Sequence, residues 1–166
     1  MLELSIALVV MTVAIGMLSG TLTSTSRVAP LQRESALAAL AARSQLEMMR
    51  AEPFGELFAR YNDTGDDDPS GPDTAPGSLF RVLGLRSPDG VDGFVGRIRF
   101  PGDGVELRED VVRIELGMPR DLTGNGTIAA VDVANDYTLL PVEIELRWES
   151  LSGVRSMRLH TMFISP

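Results

Sequence analysis

The sequence predicts an α+β fold in which a long N-terminal α-helix, with a transmembrane first half, packs on a C-terminal antiparallel β-sheet. Three observations predict it. The first 26 residues carry a single charge, on Glu3, and are otherwise apolar or uncharged polar. Residues 27–52 are rich in strong helix formers such as Ala, Leu, Glu and Met. Residues 137–166 contain two runs that alternate apolar and polar side chains, as half-buried strands do.

Residues 1–26 form the predicted transmembrane or filament-core helix. The uncharged run extends over 23 positions, from Leu4 to Ser26, and its densest apolar part is Leu4–Leu18. A helix needs roughly 20 apolar residues to cross a bilayer. A plain anchor does not explain Glu3, because a carboxylate at the mouth of a membrane helix is costly and normally has a partner. Glu3 is therefore expected to have a partner.

Residues 27–52 are predicted as the amphipathic second half of the same helix. Apolar side chains recur at helical spacing through Leu37, Leu40, Ala41 and Met48, and this face is expected to cover the sheet. Pro53 is expected to end the helix, because its ring cannot continue the hydrogen-bonding pattern.

The net charge of −8 lies in the middle of the chain, since residues 53–136 hold eight Arg against sixteen Asp and Glu. Within this part, residues 53–78 are predicted as an acidic loop rich in Pro and Gly. Its aspartates could bind a cation, but they follow no ligand spacing, so a solvated loop is the favoured interpretation. These aspartates are Asp63, Asp66, Asp67, Asp68 and Asp73.

Residues 79–166 are predicted as the antiparallel sheet domain. Short apolar or alternating runs separated by Gly-rich turns indicate its strands. A C-terminal hairpin is expected around the turn Ser150–Gly153, with Trp148 in the core and His160 in a packing or solvent role. The predicted strands are Leu79–Leu85, Phe94–Phe100, Val111–Leu116, Leu139–Glu149 and Val154–Ile164.

Residues 121–132 have the spacing of a calcium-binding loop. Oxygen-bearing side chains occupy loop positions 1, 3, 5 and 12, Gly126 stands at position 6 for the sharp turn, and Thr127 supplies a carbonyl at position 7. The loop is similar to EF-hand-like and dockerin-type loops, with Asp where an EF-hand has Glu at its last position. A Gly/Asn turn without metal is the alternative. The predicted calcium ligands are Asp121, Thr123, Asn125, Thr127 and Asp132.

Composition excludes several classes of function. The chain has no Cys, so disulfides, thiolate nucleophiles and Cys-ligated zinc are excluded. His160 is the single histidine, which argues against a Ser-His-Asp mechanism, and no pair of carboxylates suggests a catalytic cleft. We expect no enzymatic activity. A net charge of −8 also argues against nucleic-acid binding, because a polyanion would be repelled.

The chain begins with an apolar helix that contains a lone Glu, in Met1–Val10, and continues with an amphipathic half and a β-rich domain. This arrangement resembles the type IV pilin and type II secretion pseudopilin superfamily. The family's Glu stands at the fifth mature position, two places later than Glu3 stands in this chain. The ending Val142–Phe163, with a Trp-containing strand, a Gly turn and a final strand, is most similar to minor pilins and minor pseudopilins of the pilus V and secretion I types.

The resemblance implies a pilin-like fold and a structural subunit that polymerises through its N-terminal helix into a type IV pilus or a type II secretion pseudopilus. The implied partners are other pilin or pseudopilin subunits, the inner-membrane assembly machinery and, if a leader precedes Met1, a prepilin peptidase followed by N-terminal methylation. The implied location is the inner membrane, single-pass, with the C-terminal domain in the periplasm and assembly into a periplasmic pseudopilus or extracellular pilus. In that assembly, Glu3 would pair with the N-terminal amine of a neighbouring subunit.

An alternative interpretation of the same residues is a membrane-anchored, calcium-dependent binding or adhesion module. Residues 53–166 would then recognise a partner through the loop 121–132, and residues 1–26 would only tether the domain. The two interpretations differ in what the N-terminal helix contacts.

Overall fold

The computed structural model describes residues 2–90 and 93–166. Its contacts divide the chain into two compact units, one that ends at Ala36 and one that spans Leu37–Pro166. Helix α1 runs from Leu2 to Ala51 and so contributes to both units. It ends two residues before Pro53, where the proline ring prevents further helical hydrogen bonding.

The predicted fold class, a pilin-like helix with a transmembrane first half on a sheet, is wrong in its membrane-spanning half. Among the residues that the structure describes, no helix has the length and apolarity that a membrane span requires. A physical reason lies in the sequence. The dense apolar run Leu4–Leu18 holds fifteen residues, which rise about 22 Å as a helix, against about 30 Å of bilayer hydrocarbon. The predicted single-pass location in the inner membrane is overturned by the same finding.

The second unit contains one sheet of four antiparallel strands, which lie side by side in chain order. The first two strands are short and the last two are long. The strands are β1 (Leu79–Phe80), β2 (Gly96–Arg99), β3 (Leu139–Ser150) and β4 (Gly153–Ile164).

The C-terminal hairpin predicted from the alternation is confirmed. Strands β3 and β4 pair along their full length, with Ile144 opposite Leu159 and Ser150 opposite Gly153 at the turn. Gly153 has a φ of +109°, a backbone conformation that only glycine adopts readily. Trp148 is 1% exposed, as expected for a core residue.

The strand predicted at Val111–Leu116 is wrong. The end of this segment is a 3₁₀ turn, Ile114–Leu116, followed by Gly117 in the left-handed region with a φ of 69°. Its apolar side chains do not share a buried face, since Val112 is 76% and Ile114 is 82% exposed. The alternation therefore reflects a loop that crosses the sheet, held there by an ion pair from Arg113 to Glu143.

The core of the second unit combines the end of α1 with the sheet. One buried cluster contains Ala38, Ala42 and Met49 of α1 together with Ile144 and Trp148 of β3. The predicted apolar face of the helix is confirmed at Leu37 and Ala41, which pack against this cluster, and wrong at Leu40 and Met48, which are 65% and 51% exposed.

The acidic segment 53–78 also contains a short buried helix. Helix α2, Leu57–Tyr61, buries Leu57, Phe58 and Tyr61. The Tyr137 hydroxyl accepts a hydrogen bond from the Phe58 N–H and donates one to the Phe54 carbonyl, at 3.3 and 2.7 Å. A 3₁₀ helix, Phe54–Glu56, precedes α2, and residues 62–78 are loop, as predicted from their Pro, Gly and Asp content.

Candidate functional site

The first candidate site is the apolar segment of α1, which comprises residues 6–17. Its large apolar side chains are between 52% and 71% exposed. Four of them are consecutive, at positions 8–11, and therefore face every side of the helix at 3.6 residues per turn. Helices that are apolar all round are normally buried. The large exposed side chains are Ile6, Leu8, Val9, Val10, Met11, Val13, Ile15 and Met17.

The polar side chains in and next to this segment interact with the backbone of α1 itself. The Thr12 hydroxyl donates hydrogen bonds to the carbonyls of Leu8 and Val9, so it adds no free polar group to the apolar surface. Glu3 is exposed and lies in the first turn of α1, where a carboxylate interacts favourably with the unpaired N–H groups at the helix start. Its predicted pairing with a neighbouring subunit stays a prediction.

The second candidate site is the loop 121–132, which is built around the Asp121 carboxylate. Oδ1 accepts hydrogen bonds from the Gly124 N–H at 2.7 Å and the Thr123 hydroxyl at 3.0 Å, and Oδ2 accepts one from the Gly126 N–H at 2.6 Å. These bonds, above all the one from Gly126, hold the pKa of Asp121 below its ordinary value. Asp121 therefore stays ionised to lower pH, as a cation ligand must.

A buried carboxylate that no sequence pattern indicated holds this loop in place. Glu109 is 0% exposed. Its Oε1 accepts hydrogen bonds from the Leu122 and Thr123 N–H groups at 2.7 and 3.0 Å, and its Oε2 accepts one from the Ala129 N–H at 2.8 Å. Three charge-assisted bonds compensate the cost of burying the carboxylate. Glu109 is thus the residue that closes the loop over residues 122–129.

Hydrogen bonds link four of the predicted calcium ligands in one series, because Asp121 Oδ1 also accepts a bond from the Asn125 N–H at 3.3 Å. Thr123 contacts Asp121, and the Asn125 side-chain carbonyl accepts hydrogen bonds from the N–H and hydroxyl of Thr127 at 2.8 and 2.6 Å. Asp132 instead accepts bonds from the Leu107 and Ala134 N–H groups. Within the described part of the chain, no three acidic, His or Cys side chains are grouped to hold a metal ion.

The donor set fits calcium in chemical type, because it consists of carboxylate, amide, hydroxyl and carbonyl oxygens. Asp121 would be its principal charged ligand, since Oδ2 accepts one described hydrogen bond and retains lone pairs. Calcium at this loop stays a prediction. Bound there, it would replace internal hydrogen bonds as the cross-link of the loop.

Isothermal titration of the full chain with calcium tests this site. We expect a calcium-dependent heat and a rise in melting temperature for the unmodified chain, and neither for Asp121→Ala, which removes the principal charged ligand. Asp89→Ala, in an exposed turn outside the loop, is the matched control and should bind as the unmodified chain does. Absence of heat in the unmodified chain would contradict the calcium site, and the loop would then be held by its internal hydrogen bonds.

The third feature is a network of ion pairs on the face of the sheet opposite the core. Glu143 and Glu145 of β3 have side chains only 6% and 8% exposed, although their alternation predicts a solvated face. Glu143 pairs with Arg113 at 2.7 Å and lies 3.4 Å from His160 Nε2, while Glu145 pairs with Arg158 at 3.0 Å.

Arginines explain how these two carboxylates stay buried. Burial alone would raise the pKa of Glu145, but the hydrogen bond from Arg158 and the positive charges of Arg99 and Arg158 outweigh it and hold that pKa below its ordinary value. The pairs are local and structural, because each carboxylate already has its counter-ion.

Comparison with known proteins provides no further constraint on these sites. No family model, curated protein or solved structure matches this chain. Its function is therefore inferred from its own residues and their geometry.

Proposed function

We propose that this chain is a structural subunit of a filament, of the type IV pilus or type II secretion pseudopilus kind, that polymerises through α1. The observation that carries the proposal is the apolar segment of α1, whose large side chains are more than half exposed on every side of the helix. Proteins that act as monomers in water rarely expose an apolar surface of this extent. Such a segment requires other apolar surfaces around it.

Copies of the same helix are the occupants that fit best. The dense apolar run is shorter than a bilayer requires, whereas apolar segments of this length are typical of helices buried in protein. Contact on every side needs several neighbours, which a single bound partner would not supply. Head-to-tail repetition of one contact that does not close into a ring produces a helical filament. Packing of α1 against α1 from several neighbouring copies meets these requirements.

Glu3 is proposed to set the alignment between neighbouring copies. A carboxylate that becomes buried among apolar helices needs a cationic partner, and a neighbour's N-terminal amine would supply one. A charge pair of this kind favours one axial offset between two helices whose contact is otherwise apolar.

Replacing Glu3 tests this alignment role. We expect Glu3→Ala to reduce the amount of chain recovered in sedimented filaments by about tenfold or more, because one partner of a desolvated charge pair is lost. The second unit should melt at the same temperature as in the unmodified chain. Glu3→Gln keeps the shape of the side chain and should show a similar loss if charge is what matters.

The control for Glu3→Ala is Glu47→Ala, which removes an exposed carboxylate from the same helix. Glu47 is 68% exposed and pairs with Arg50 within α1, and exposed pairs contribute little. Filament yield should be unchanged. Normal incorporation of Glu3→Ala would show that Glu3 only supports the start of the helix.

A further inference from the structure

Two parts of the second unit carry opposite charges that the described chain leaves largely without ion-pair partners. The first is the arginine cleft, an open cleft of about 350 Å³ beside β2 and β3 that Arg97, Arg99 and Arg147 line. Ser87, Asp89 and Glu145 also line the cleft, so its three guanidinium groups stand against two carboxylates. Arg99 is paired with Glu145 at 3.0 Å. Within the part of the chain that the structure describes, Arg97 and Arg147 form no ion pair.

The second part is the acidic loop, residues 62–73, which contains five aspartates. Within the described ranges, none of these five carboxylates is paired with an arginine or with His160. The loop is nevertheless ordered, because the Asp67 carboxylate accepts a hydrogen bond from the Asn62 amide at 2.7 Å and Asp68 accepts one from the Ala75 N–H at 2.9 Å. Asp66 and Asp67 are exposed.

The acidic loop and the arginine cleft are neighbours on one surface. Leu79 and Phe94 line the cleft and also line the adjacent hollow formed by the acidic loop. Two neighbouring patches of opposite charge can pair with the same two patches on a second copy. If a two-fold rotation relates the copies, the acidic loop of each copy meets the cleft of the other. A two-fold pair therefore contains this contact twice.

We infer that the second units of two copies of this chain associate by placing the acidic loop of one copy in the arginine cleft of the other. The contact is independent of the proposed packing of α1. It supplies carboxylates to Arg97 and Arg147, whose guanidinium groups can each form a two-point contact with a carboxylate. Because the groups are exposed, the association depends on ionic strength.

Disulfide trapping between copies tests the contact, and the absence of native Cys makes every cross-link assignable. A chain with Ser70→Cys in the acidic loop is mixed with a chain with Ser87→Cys at the cleft, so that all charges are kept. The inferred contact holds these two thiols near each other, so their effective concentration exceeds that of thiols that meet by chance. We expect a heterodimer yield about tenfold above that of a control mixture in which Ser152→Cys, in the exposed β3–β4 turn, replaces Ser87→Cys.

Charge variants separate this contact from random collision. Arg147→Glu in both chains, which alters both copies of the contact, should reduce the yield to the control level, and adding Asp66→Arg to both chains should restore it. Raising the salt to about 1 M, where the Debye length falls to about 3 Å, should also abolish the excess yield. Equal yields in the test and control mixtures, or an excess that salt and Arg147→Glu leave unchanged, would overturn the inference. Both results are independent of filament formation.

Discussion

Glu109→Ala is expected to destabilise the second unit strongly. The change leaves the N–H groups of Leu122, Thr123 and Ala129 without their acceptor, and two of the affected bonds are part-buried while one is buried. An unsatisfied buried group costs roughly 1–3 kcal/mol and a part-buried group costs less, because water can reach it, so the free energy of unfolding should fall by about 2–4 kcal/mol. The total free energy of unfolding of a small domain is only about 5–15 kcal/mol.

Urea unfolding of the full chain, followed by circular dichroism, measures this effect. Glu109→Gln should lie between the unmodified chain and Glu109→Ala, because the amide oxygen still accepts hydrogen bonds and the NH₂ group faces donors. Glu106→Ala is the matched control. Glu106 is exposed and lies 3.6 Å from Arg108, so its loss should change stability by less than about 0.5 kcal/mol. A similarly small change for Glu109→Ala would contradict the role assigned to Glu109.

Val13→Glu is expected to abolish filament assembly while the second unit stays folded. Val13 is 52% exposed within the apolar segment of α1, so the substitution is tolerated in an isolated chain. Assembly would bury the new carboxylate without a counter-ion, which costs several kcal/mol in each contact. Sedimentation and negative-stain microscopy should therefore show no filaments at concentrations where the unmodified chain assembles.

Met48→Glu makes the same chemical change at a matched position of the same helix. Met48 is 51% exposed but belongs to the second unit. Filament yield should be close to that of the unmodified chain. Equal loss of filaments with Val13→Glu and Met48→Glu would indicate that any added charge on α1 prevents assembly, and the apolar segment would have no special role.

The sequence was sufficient to predict the elements whose patterns are local. The hairpin of β3 and β4 follows from side chains that alternate over eleven or more residues, with the core residues Val142, Ile144, Leu146 and Trp148 on one face. The alternation near Val112 was misleading, because a short run of this kind is also compatible with an exposed loop. Only a neighbouring, hydrogen-bonded strand distinguishes a strand from such a loop, and that neighbour is distant in sequence.

The buried face of α1 was predicted in part, since Leu37 and Ala41 pack against the core whereas Leu40 and Met48 are exposed. Large residues such as Leu40 and Met48 suggested a face, whereas the buried positions are held mainly by Ala38, Ala42 and Met49. The buried face combines small residues, Ala38 and Ala42, with the large residues Leu46 and Met49, so residue size does not mark the contact. A hydrophobicity pattern does not contain this information.

The carboxylates that organise the candidate sites could not be predicted from the sequence. Glu109 stands in a run of charged residues, Arg108 to Asp110, and nothing local distinguishes it from its half-buried neighbours. Its partners begin 13 positions later. Glu143 and Glu145 similarly occupy positions that alternation assigns to solvent. Their burial depends on arginines contributed by other segments of the chain.

The central claim is that copies of this chain assemble by packing the apolar segments of α1 against one another. Helical reconstruction by electron cryo-microscopy of the assembled, unmodified chain tests it most directly. We predict that residues 6–17 of neighbouring copies contact each other along the filament axis, with Glu3 near a neighbour's N-terminal amine. A chain that remains monomeric at all concentrations, or a filament in which residues 6–17 stay exposed to solvent, would contradict the claim.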